Sequence, residues 1–74
     1  MKTNTQQSNL ELGLRQKRRA AVKAMHTRLL AIRAAEQNYL NNVPDNFRGA
    51  ESFDVGENAV EVLDEVIALL SDAY

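Results

Sequence analysis

The chain has 74 residues, no cysteine, a single histidine and a formal net charge of −1. These counts exclude a disulfide framework and thiolate metal sites, leave no zinc constellation around His26, and limit the chain to one small domain, below the size at which a single core is comfortably stable alone. The near-zero charge hides a division: residues 1–48 carry all nine Lys and Arg against three acids, a net of +6, whereas residues 49–74 carry seven acids and no base, −7.

Scarce proline and glycine, with abundant alanine, leucine, glutamate and arginine, point to an all-α protein. No apolar run reaches the length of a membrane span, and the polar start Met1-Lys2-Thr3-Asn4-Thr5-Gln6-Gln7 lacks a signal-peptide core. A cytoplasmic protein is the expectation. Residues 1–8 read as a flexible tail ahead of a single domain, 9–74. Ser8-Asn9-Leu10-Glu11 has the capping-box pattern of a helix start. Nothing from there to Asn42 breaks a helix except Gly13, which costs about 1 kcal/mol relative to alanine. The first helix is therefore placed at about 9–42. Its apolar seam reads Val22, Met25, Leu29, Ile32, then Tyr39 and Val43 a heptad on, with Glu36 interrupting and Ala35 beside it.

The turn follows, Asn41 to Ser52, with the only proline. Pro44 disfavours the helical basin for Val43, and Gly49 can take φ > 0 ahead of a second helix. Asp45 and Asn46 are expected to bond local backbone amides, and Tyr39, Phe47 and Phe53 to pack across the open end. The run Tyr39-Leu40-Asn41-Asn42-Val43-Pro44-Asp45-Asn46-Phe47-Arg48-Gly49-Ala50-Glu51-Ser52-Phe53 resembles the turn of a family of small helical-hairpin proteins from bacteria, phages and mobile elements. Those typically read tyrosine, spacers, asparagine, an aliphatic residue, Pro-Glu-Asn-Leu and a small polar pair before an acidic helix. The likeness covers roughly residues 36–70. Asp45 replaces the usual glutamate, Phe47 the leucine and Ala50 the serine cap. The resemblance implies an oligomeric hairpin and no activity.

The second helix is expected at about 50–72, with the seam Phe53, Gly56, Val60, Leu63, Ile67, Leu70 and Tyr74 in strict heptad spacing. Gly56 within it fits either a close backbone approach or a tolerated weak point of the helix. A flanking set, Val55, Ala59, Val62, Val66, Leu69 and Ala73, gives this helix enough apolar surface for two neighbours. Folded back antiparallel, it covers the first helix only as far as about Arg18, so residues 9–17 overhang. Both features predict a homodimer closing a four-helix bundle, with Leu10, Leu14, Val55, Val62, Val66 and Leu69 as its interface. Lys23, Arg28 and Arg33 are expected to flank Glu57, Glu61, Glu65 or Asp72.

Two charged clusters are candidate contacts with other macromolecules. Arg15, Lys17, Arg18, Arg19 and Lys23 could sit on phosphates, although no aromatic side chain interleaves them and the acidic helix competes for them. A charge partner within the chain or across the dimer is the preferred explanation. Glu57, Glu61, Asp64 and Glu65 could meet a basic host protein, as an inhibitor would; a solvated helix face is the plainer reading. The Glu-x-x-His repeat of helical di-metal sites is absent. His26 reads as structural, and Ser8, Ser52 and Ser71 lack a nucleophile's context. No enzyme activity, catalytic residue, metal ligand, cofactor or small-molecule substrate is expected. The function predicted is that of a small interaction protein, with nucleic-acid binding as the alternative.

Overall fold

The computed structural model describes residues 13–73. Helix α1, Arg15–Asn41, and helix α2, Glu51–Asp72, pack against each other as an antiparallel hairpin, and no strand occurs among the described residues. The all-α hairpin read from the sequence is the fold. Ser8, Leu10, Glu11 and Leu12 lie outside the described residues, as does Tyr74.

The start of α1 differs from the expectation of one helix running from residue 9. Leu14 is extended (φ −86°, ψ 138°) and forms the N-cap without a side-chain hydrogen bond. The first turn of α1 holds no acid, and Arg15, Lys17 and Arg18 stand against the positive end of the helix dipole. Gly13 next to it makes the break inexpensive. The Arg18 guanidinium donates to the Gly13 carbonyl across the break.

The other end of α1 stops where Pro44 requires. Asn42 donates from its side chain to the Asn38 carbonyl at 2.8 Å, capping the last turn. One turn of 3-10 helix, Asp45–Phe47, follows, closed by the Phe47 amide to the Pro44 carbonyl at 2.9 Å. The expected Asp45 and Asn46 bonds to backbone amides are not what holds this turn. Arg48 does more: its Nε donates to the Val43 carbonyl at 3.1 Å, lies 3.4 Å from Asp45, and its guanidinium sits 5.8 Å from the centre of the Phe53 ring. Gly49 does not use a left-handed conformation. Ala50 is the N-cap of α2 without a side-chain bond, and Glu51 and Asp54 in the first turn complement the dipole instead.

The seam of α2 is the predicted one, with Gly56 and Val60 buried and Phe53, Leu63, Ile67 and Leu70 half-buried. The seam of α1 is rotated from the predicted one. Val22, Leu29, Glu36 and Val43 face α2 as that phase requires, but His26, Arg33 and Leu40 fill the places assigned to Met25, Ile32 and Tyr39. The two phases share every other position, so heptad spacing alone does not separate them. Leu40 separates them: it is 4% exposed and sits on Gly56, where an added Cβ would lie 2.7 Å from Leu40 Cδ2 and 2.8 Å from a Glu36 carboxylate oxygen. The two helices are in close approach at this point.

Candidate interaction surfaces

The register of the hairpin decides which side chains meet. Arg33 donates to Asp64 through two nitrogens, at 2.8 and 3.2 Å, and His26 Nε2 lies 2.9 Å from Ser71 Oγ. Asp64 thus takes Arg33 in place of the expected Glu57, Glu61, Glu65 or Asp72. Its carboxylate, by hydrogen bond first and by charge second, holds the Arg33 guanidinium above its already high ordinary pKa. Both side chains remain partly exposed, so solvent screens the pair and it fixes the register more than it adds stability.

With Arg33 opposite Asp64 and His26 opposite Ser71, α2 ends beside His26. Ala73 reaches Arg19 and Val22 in an open cleft of about 240 Å³. Arg15, Lys17 and Arg18 therefore stand on the part of α1 that projects past the end of α2, with Arg19 and Lys23 at its edge. The acids Glu57, Glu61, Asp64 and Glu65 lie further toward the turn. The structure does not bring the two clusters together, and one ion pair between the helices, Arg33 with Asp64, is seen among the described residues.

The His26–Ser71 contact joins residues 45 apart in sequence, so only the register reveals it. Ser71 gives its hydroxyl proton to the Ile67 carbonyl at 3.1 Å. Its oxygen is then left as an acceptor, and His26 donates to it from Nε2–H. An imidazole donating to a hydroxyl does not activate it as a nucleophile. The pair ties the end of α2 to α1. Among the described residues no three of His, Asp and Glu are grouped to hold a metal ion, and no helix is long and apolar enough to cross a membrane.

Most of the remaining apolar side chains share one side of the molecule; Leu30, one position after Leu29 and 46% exposed, stands on the other. Met25, Ile32 and Tyr39 each stand one position before a seam residue of α1: His26, Arg33 and Leu40. Val55, Ala59, Val62, Val66 and Leu69 each stand one position before a seam residue of α2. An antiparallel pair is related by a two-fold axis normal to its plane, which carries each face onto itself. Equal rotations from the two seams therefore emerge on the same face. That face is uncovered: Met25 is 60% exposed, Val62 45% and Leu69 70%. Leu14, at the start of α1, is exposed too. The stripe on α2 carries no charge between Ser52 and Ala73. One position after each seam, on the opposite face, stand Lys23 and Gln37 of α1 with Glu57, Glu61 and Asp64 of α2. The hairpin has an apolar side and a polar side.

At the turn, Tyr39, Val43, Pro44, Phe47 and Phe53 line an open cleft of about 480 Å³. Tyr39 and Phe47 remain more than half exposed. The three aromatic residues share this cleft without closing the end of the hairpin.

No protein-family model, curated protein or solved structure matches this chain.

Proposed function

We propose that this chain is a small non-enzymatic interaction protein that pairs with a second copy through its apolar face and meets other macromolecules through its charged surfaces. The observation that supports this reading is the imbalance between what the hairpin buries and what it leaves out. Among the described residues Leu40 and Val60 are the buried hydrophobic side chains, while Met25, Ile32, Val55, Val62, Val66 and Leu69 face solvent on one side. Two contacting helices bury too little to offset the ordering of some 60 residues, at about 1 kcal/mol or more each. A second hairpin laid on the apolar face supplies the missing half of a core, as in a four-helix bundle. Leu14 extends that face toward the open end. The test is the molar mass in solution by light scattering, over a wide concentration range. A mass near twice the 8.3 kDa chain, held to low micromolar concentration, is expected. A fully helical monomer at high micromolar concentration would overturn the reading.

A second reading, nucleic-acid binding, gains from one observation: Arg15, Lys17, Arg18, Arg19 and Lys23 project beyond the acidic part of α2. Its test is retention on duplex DNA that falls steeply with salt and is lost on combining Lys17→Glu, Arg19→Glu and Lys23→Glu. Retention unchanged by those substitutions would remove it.

A further inference from the structure

We infer that the second copy lies end to end reversed on the first, the turn of one hairpin beside the open end of the other. This rests on the pairing proposed above and goes beyond it in fixing the orientation.

The first argument is charge. Folding converts the sequence division into an axial one. Among the described residues the open half carries Arg15, Lys17, Arg18, Arg19, Lys23 and Arg28 and the acid Asp72, a net of +5. The half nearer the turn, residues 33–65, holds eight acids against Arg33 and Arg48, a net of −6. Two hairpins stacked in the same orientation set +5 beside +5 and −6 beside −6. Packed helices lie about 8–10 Å apart, comparable to the Debye length of about 8 Å at physiological salt, so that repulsion is only partly screened. Reversal sets each basic half against an acidic one.

The second argument is the pattern of the apolar stripe. A two-fold axis across α2 midway between Val62 and Val66 exchanges those two valines. It also exchanges Ala59 with Leu69 and Val55 with Ala73. The spacing is the same read in either direction, and outside the valines each exchange sets alanine against a larger side chain, as close packing of two antiparallel helices requires. On α1 the same operation brings Ile32 near its own copy and Met25 near Tyr39. A same-orientation stack instead lays α1 of one copy on α2 of the other and does not use this symmetry.

The native chain has no cysteine, so single labels are placed cleanly. Asn46→Cys marks the turn and Gln16→Cys the open end; each carries a nitroxide, and distances are read by pulsed dipolar spectroscopy, with light scattering on the same samples. The reversed arrangement gives turn-to-turn and end-to-end distances of about 40 Å or more, from 1.5 Å per residue. A short distance then appears only when the two labelled variants are mixed. Short distances within each variant and none on mixing, at a dimer mass, overturn the orientation and leave the pairing intact. A monomer mass overturns both.

Discussion

Gly56 and Leu40 show how one missing methyl group shapes the hairpin. Leu40 lies so close to the α2 backbone that only a hydrogen fits beneath it. Gly56→Ala must push Leu40 or Glu36 aside, and overpacking of this kind costs typically 1–3 kcal/mol. Denaturant unfolding should show a loss in that range. Gly49→Ala is the contrast. Nothing lies within 4 Å of the added carbon and the backbone there is not left-handed, so the change should be neutral or stabilising by up to about 1 kcal/mol. A loss at Gly49 equal to that at Gly56 would mean that the close approach is not the cause. The place of Gly56 in a heptad seam was legible, but only the contact with Leu40 decides between a close approach and a tolerated weak point. Leu40 itself was not legible: Tyr39 beside it fits a competing phase, and the choice depends on the depth available on α2. His26 and Ser71 were illegible for the same reason, since their meeting follows from a register set elsewhere.

At the scale of the helix, α2 reads true because its apolar positions recur without interruption and its first turn carries acids where the dipole favours them. Its span, Glu51–Asp72, lies within one residue of the expectation. The start of α1 was misjudged because the opposing terms are small and local: an uncapped first turn, basic side chains at the wrong end of a dipole and a neighbouring glycine. The two faces of α2 yield a comparison between adjacent residues. Leu63 is in the seam and Val62 on the uncovered face. Leu63→Asp places a charge between the helices and should abolish helicity by circular dichroism. Val62→Asp leaves the seam intact. It should weaken self-association at least tenfold by sedimentation equilibrium while helicity is regained at high concentration, because folding and association are linked. If Val62→Asp left the association constant unchanged, the apolar face would not be the interface.

For the whole molecule, the opposed charges of the two sequence halves were plain in the sequence, but their consequence was not. Opposite charges in consecutive helices suggested mutual neutralisation across the hairpin. The basic residues cluster before Arg33 and the acids after it, so folding back sets Arg33 on Asp64 and leaves most of the rest displaced along the axis. Nucleic-acid binding belongs at this scale too. Each phosphate contact should add about 0.9 to the slope of log affinity against log salt, so the triple glutamate variant tests whether the projecting bases act together.

The hydrogen-deep notch at Gly56 also answers a difficulty built into heptad repeats. Two helices patterned every seven residues could in principle slip past each other by one repeat and still match apolar to apolar. Such a slip, lengthening the turn, would bring Leu63 under Leu40, two full side chains where the space admits one, and would give Arg33 Ser71 in place of Asp64. The repeat offers several alignments, and the notch accepts one. A single glycine thus turns a periodic pair of helices, which alone would define a family of sliding partners, into a hairpin with one length and one set of ends.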